Sequence, residues 1–198
     1  AVLGQRPDVK GCSRTDAGVH ALDFALNFHY DGHIPPFRLV LALNAHLPED
    51  IRVKSARPVP EDFHARYAAH AKTYCYRIRN SAVDDPFDLD TCWRTARALD
   101  AAAMQAAADH LLGTHDFRAF CAAGSGPAAH GDTVRTITAC RVEREGELVT
   151  VTVTADGYLY NMVRILAGTL VEAGRGKLDP AALPEILAGG DRRRAGPT

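Results

Sequence analysis

The chain has 198 residues, 46% of them hydrophobic, and its 23 basic and 24 acidic residues leave a net charge of −1. That is enough apolar content for a packed core and excludes a disordered chain, while the charge balance excludes a surface that attracts phosphate everywhere; any nucleic-acid site must be local. No apolar run approaches the ~20 residues of a membrane span, and the segment 1–10 lacks a secretory charge-then-apolar pattern, so a soluble cytoplasmic protein is expected.

The first informative stretch is Gly11-Cys12-Ser13-Arg14-Thr15-Asp16-Ala17-Gly18-Val19-His20-Ala21, which sets one carboxylate in a tight loop of small residues beside an arginine. Ser13, Thr15 and Asp16 can hydrogen-bond their own backbone and hold a turn, so Asp16 reads either as a structural Asx-turn or helix cap or as a positioned chemical group. Phe24 to Tyr30 alternates like a half-buried strand, Pro35-Pro36 opens a helix from Phe37 to about His46, and Ile51 to Ala56 reads as a strand. Lys72 to Arg79 reads as another, with Tyr74, Tyr76 and Ile78 on one face and Cys75, Arg77 and Arg79 on the other.

The proline-containing passage Asn80 to Pro86 marks a boundary, giving halves 1–80 and 81–198. The second half predicts a helix over Asp100 to Leu112, strands over Val134 to Arg144 and Glu147 to Ala155, and helices over Tyr160 to Ala173 and Pro180 to Leu187. Two α+β halves with antiparallel sheets are expected. The five cysteines are widely spaced without a C-x-x-C pair and the nine histidines form no ligand motif, so reduced thiols and no metal are expected. Basic clusters occur at Arg52, Lys54 and Arg57, at Lys72, Arg77 and Arg79, and at Arg192 to Arg194; each reads either as an RNA contact or as a solvated face.

The segment Ser13 to Ala21 resembles the G-R-T-D-A-G-V-H-A signature of TruA-type tRNA pseudouridine synthases, with Ser13 where glycine is usual. The resemblance continues in order through Leu43 to Ile51, Asp62 to Tyr67, Lys72 to Arg77, Asn161 to Arg164 and Ala195 to Thr198. It departs from the family's glycine-glutamine step at Asp23 and Phe24. Against the family pattern the chain looks clipped at both ends.

The resemblance implies a pseudouridine synthase fold, two similar α+β halves flanking a cleft, and a cofactor-free isomerase that converts uridine to pseudouridine in the anticodon stem-loop of tRNA. It implies a homodimer. Asp16 matches the nucleophile, attacking C1′ or C6 or supporting a glycal route. Arg164 matches its cationic partner, and on spacing alone is equally a surface arginine. Tyr74 matches the tyrosine that stacks on the target base and takes part in proton transfer, Tyr76 being the core tyrosine of the pair. Arg14 matches the arginine that enters the RNA as the nucleotide is displaced, or else pairs with Asp16; Arg66, Lys72 and His20 fall to phosphate contacts or loop support. A noncatalytic RNA-binding relative or a truncated inactive form of the same fold is the alternative, and a hydrolase using Asp16 lacks a second carboxylate at a characteristic spacing.

Overall fold

The computed structural model describes residues 2–4, 6–122 and 131–198. The chain divides into two compact units, Ala1–His70 and Ala71–Thr198. Among the described residues the strands make a two-stranded sheet in the first unit and a five-stranded sheet in the second, with helices beside them, an α+β architecture that fits the pseudouridine synthase fold.

In the first unit β1 (Lys10–Gly11) pairs antiparallel with β2 (Leu26–Asn27), and α1 (Pro36–Asn44) follows. Pro36 sits in the first helical turn, where its missing N–H costs nothing. The predicted strand Phe24 to Tyr30 shrinks to two residues because its ladder partner is only two residues long and Asn27 turns its amide to other backbone: it donates to the Phe63 carbonyl at 3.1 Å and accepts from the Ala65 N–H at 2.8 Å. Ile51 to Ala56 does not form a strand. At its centre the Asn44 amide bonds both the N–H and the C=O of Val53, at 2.8 and 2.9 Å, giving that residue a side-chain partner in place of a ladder.

The second unit is built on β3 (Lys72–Arg79), β4 (Trp93–Arg94), β5 (Gly113–Asp116), β6 (Val134–Glu145) and β7 (Leu148–Ala155), in the order β4-β3-β7-β6-β5. The ladder between β3 and β7 runs from Lys72–Ala155 to Arg79–Leu148, so β3 belongs with the second sheet and the division falls at residue 70, ahead of the proline-containing passage. Alternation predicts the faces correctly: Ile78 is fully buried, Tyr74 and Tyr76 pack against the core, and Val149, Val151 and Val153 are buried between partly exposed threonines. A register shift between Ile137 and Ala139 inserts one residue into β6 and lets Ile137 and Cys140, three apart, both face the core.

Two helices cover the buried face of that sheet, α2 (Ala101–Asp109) and α3 (Met162–Gly174). Asp100 caps α2 by accepting from the N–H groups of Ala102 and Ala103. The Gln105 side chain joins α2 to β6, donating to the Cys140 carbonyl and accepting from the Val142 N–H. In α3 nearly every residue from Ile165 to Gly174 is buried, so the helix is a core element and not an amphipathic surface helix. The short α4 (Leu183–Gly189) follows.

The closing segment Ala195 to Thr198 lies directly on α3. The Gly196 N–H donates to Thr169 Oγ1 at 2.8 Å, and that hydroxyl donates to the Ile165 carbonyl at 2.7 Å. Gly168 and Gly196 make the approach possible: a Cβ on Gly168 would overlap the Pro197 carbonyl, and one on Gly196 would overlap the backbone at Gly168 and Thr169. Arg192 fastens the segment with bonds to the Gly196 carbonyl at 2.8 Å and Thr198 Oγ1 at 3.0 Å.

Candidate active site

In the first unit Arg14, Asp16 and His20 all lie on the loop that β1 and β2 close. The closure continues one step past the ladder, the Cys12 N–H donating to the Ala25 carbonyl at 2.9 Å. Within the loop the Val19 N–H returns to the Asp16 carbonyl at 3.1 Å, and the third residue of that turn, Gly18, has φ 77°, a conformation that a side chain would strain. The backbone of Asp16 is therefore fixed by a turn that needs glycine, and Asp16 is solvent-exposed. Phe24 stands where the family pattern has glutamine; its ring packs on the Gly11 backbone, 3.0 Å from the place a Cβ would take, and fills the base of the loop.

Arg66 follows the 63–65 segment that Asn27, the last residue of β2, grips at both ends. The frame that closes the aspartate loop thus also sets Arg66. Arg14 and Arg66 are exposed, and their guanidinium groups make no hydrogen bond or ion pair among the described residues. The arginines of the other basic clusters are largely occupied. Arg79 is paired with Asp85 and Asp88, Arg77 donates to Thr91, Arg52 donates to the Pro48 and Ile51 carbonyls, and Arg193 and Arg194 pair with Asp191 and Glu185. Those arginines are engaged by neighbouring carboxylates, hydroxyls or carbonyls.

In the second unit Lys72, Tyr74 and Tyr76 share one face of β3, and Arg164 stands in the first turn of α3. Burial pushes the Tyr76 phenol up from its ordinary value, and the positive charge of Arg164 pulls it part of the way back, which puts the guanidinium within electrostatic reach of that hydroxyl. Tyr74 meets Tyr158 edge-on, the ring centroids 5.0 Å apart and the planes at 83°. Asn161, which precedes α3, has φ 58° and ψ 11°, and among the described residues it is the one non-glycine with positive φ. Strain of this kind gathers at functional sites, and Arg164 is three residues further on.

Sequence reasoning passed over Tyr158, Asn27 and the conformation of Asn161. Tyr158 had a signal, a tyrosine in the Asp156-Gly157-Tyr158 segment leading into the Asn161 to Arg164 motif, whereas Asn27 had none beyond its place at the end of an alternating run. Among the described residues no group of three or more His, Cys, Asp or Glu side chains is gathered as a metal ion would require, and no helix is long and apolar enough to cross a membrane. The cysteines are free thiols; burial pushes that of Cys140 up to about 12.

A family model described as tRNA pseudouridine synthase matches residues 4–68 and 107–198. The chain is 49% identical over 197 residues to tRNA pseudouridine synthase A of Moorella thermoacetica, covering 100% of this chain and 79% of that relative. It is 45% identical over 197 residues to tRNA pseudouridine synthase A of Acetivibrio thermocellus, covering 100% of this chain and 80% of the other. With tRNA pseudouridine synthase A 2 of Clostridium perfringens it shares 41% over 195 residues, 98% of this chain and 79% of the relative. With the model reaching into both units and identity of this order along the whole length, the chain belongs to the TruA family of tRNA pseudouridine synthases, isomerases that turn uridine into pseudouridine in tRNA.

Proposed function

We propose that the protein isomerises uridines in the anticodon stem-loop of tRNA with Asp16 as the nucleophile. The reaction breaks the bond between N1 and C1′, turns the detached uracil, and joins C5 to C1′; the hydrogen on C5 leaves as a proton and N1 ends protonated, so nothing is oxidised and no cofactor is consumed. Such a site needs a carboxylate, a positive charge to keep it ionised once RNA covers it, and a flat surface that tolerates the turning base. Asp16 supplies the first, Arg164 the second and Tyr74 the third. Arg14 takes the place vacated by the displaced nucleotide, where a planar guanidinium can stack, while Arg66, Lys72 and His20 hold phosphates or support the loop.

The observation that carries this reading is the aspartate loop itself. Arg14, Asp16 and His20 occupy one loop closed by a short ladder, and within it the Asp16 backbone is held by the turn to Val19 while Arg14 stays exposed, its guanidinium making no hydrogen bond or ion pair among the described residues. A structural turn would need neither the arginine nor its exposure. The enzyme acts as a homodimer in the cytoplasm, where tRNA is at hand.

Transcripts labelled with tritium at C5 of uridine test the substrate. Label should be released from tRNA and not from a transcript whose anticodon-arm uridines are replaced by cytidine; equal release from both would overturn the anticodon assignment. Light scattering at twice the chain mass is expected, and a monomeric mass for the active protein would overturn the dimer.

A further inference from the structure

Tyr158 lies in the short connection between β7 and α3, with its ring packed against the core. The Tyr158 and Tyr74 rings meet in a T-shaped contact with 5.0 Å between centroids, and the Tyr158 hydroxyl lies 2.9 Å from the Lys72 carbonyl and 2.8 Å from the Val153 carbonyl. Val153 is the register partner of Tyr74, and Lys72 precedes Tyr74 by two residues on the same face of β3. The hydroxyl is therefore fixed to both strands at the level of Tyr74, which sets the position of the ring that carries it. Burial keeps the phenol well above its ordinary pKa, so it remains a neutral donor to these carbonyls across the whole working range.

A residue needed only to fill the core at this place would need no hydroxyl. The two carbonyl contacts fix the far end of the Tyr158 side chain and so the place of its ring, and an edge-to-face neighbour at this distance restricts the tilt of Tyr74 in turn. Tyr158 also stands three residues ahead of Asn161, so the same anchor ties the Tyr74 strand to the chain entering α3, which bears Arg164.

We infer that Tyr158 is a positioning residue of the isomerisation: it holds the Tyr74 ring at the tilt that receives the uracil face. The inference rests on the assignment of Tyr74 to the target base. It assigns Tyr158 no contact with RNA.

The test compares Tyr158→Leu and Tyr158→Phe with the unaltered protein in the tritium-release assay, using full-length tRNA and with thermal unfolding recorded for each. Tyr158→Leu should lower kcat by about tenfold to a hundredfold, as misplacement of a reacting group by about an ångström does, while KM for tRNA stays within about twofold. Tyr158→Phe keeps the ring and loses the hydroxyl anchor, and should lower kcat by a smaller factor, about threefold to tenfold, at unchanged KM. Under single-turnover conditions in a Tyr74→Leu background, removing Tyr158 should add no further loss, since its effect passes through Tyr74.

A Tyr158→Leu protein that folds and turns over at the normal rate overturns the inference, as does an equal loss in kcat and in tRNA affinity. So does a loss that multiplies in full on that of Tyr74→Leu. Each of those results leaves the Tyr74 assignment standing provided Tyr74→Leu is itself slow; an active Tyr74→Leu protein removes both. If Tyr158→Leu does not fold, Tyr158→Phe decides: a reduced kcat at unchanged KM supports the role, and an unchanged kcat overturns it.

Discussion

Gly168→Ala separates helix propensity from tertiary fit. Gly168 is in the interior of α3, where alanine in place of glycine gains about 1 kcal/mol on intrinsic preference. Its added Cβ, however, would overlap the Pro197 carbonyl, a backbone atom that cannot rotate aside, and overpacking of this kind costs about 1–3 kcal/mol. If the closing segment lifts away to relieve the overlap, the bond from the Gly196 N–H to Thr169 Oγ1 and the Arg192 bonds to Gly196 and Thr198 go with it, each a loss of about 1 kcal/mol. The clash outweighs the propensity gain, and a net destabilisation of up to about 2 kcal/mol is expected.

Fluorescence of the single tryptophan, Trp93, reports the unfolding of the second unit, because Arg175, the residue after α3, lies over its ring at 5.6 Å. The midpoint should fall by up to roughly 10 °C. Gly189→Ala is the control: at the end of α4 its Cβ would meet nothing nearer than Arg194 at 4.0 Å, and its stability should hold or rise slightly. A Gly168→Ala protein more stable than the parent would refute the docking of the closing segment on α3.

Asn161→Gly should leave stability and turnover near the parent values, whereas Asn161→Val should cost about 1–2 kcal/mol and slow turnover, since φ 58° is open to glycine and strained for a β-branched residue; equal behaviour of the two, by denaturant titration and tritium release, would remove the backbone argument. Arg66→Gln should weaken tRNA binding and reduce the slope of log affinity against log salt by roughly 1, while Arg14→Gln should lower kcat more than binding; an unchanged salt slope for Arg66→Gln excludes a phosphate contact. Arg118 holds the Asp116 carboxyl below its ordinary 3.8, and Arg193 holds that of Asp191 down at about 2. Folded pKa values lower than unfolded ones stabilise above the unfolded pKa, so this contribution should be full above about pH 5 and fade as the pH falls toward 2. Thermal midpoints measured across that window should fall less steeply for Asp116→Asn than for the parent, and parallel curves would contradict the pairing.

The elements most legible in the sequence were those whose periodicity answers to a large buried partner. β3, β6 and β7 alternate because one face lies under α2 and α3, and the hydrophobic run of α3 shows through for the same reason. Where a side-chain amide takes the part of a neighbouring strand, as Asn44 does at Val53 and Asn27 at Phe63 and Ala65, the alternation of Ile51 to Ala56 and Phe24 to Tyr30 misleads, because nothing local distinguishes an amide partner from a ladder. β4 and β5 are short and polar, and only their places beside β3 and β6 make them strands.

The candidate site was legible through a motif more than through chemistry. Asp16 alone reads as a turn, and what marked it was the surrounding segment together with distant matches at Tyr74 and Arg164. The supports were hidden because they act through geometry: Tyr158 through an edge contact and two carbonyls, Asn161 through a backbone angle. Composition could not distinguish the arginines already locked in ion pairs from Arg14 and Arg66.

The assignment of Asp16 is tested most directly by tritium release from tRNA labelled at C5 of uridine, run side by side with the parent protein and Asp16→Ala. The account predicts release by the parent and a loss of at least about a thousandfold in the variant, with tRNA still bound and the protein still folded. Release by Asp16→Ala at the parent rate would contradict it.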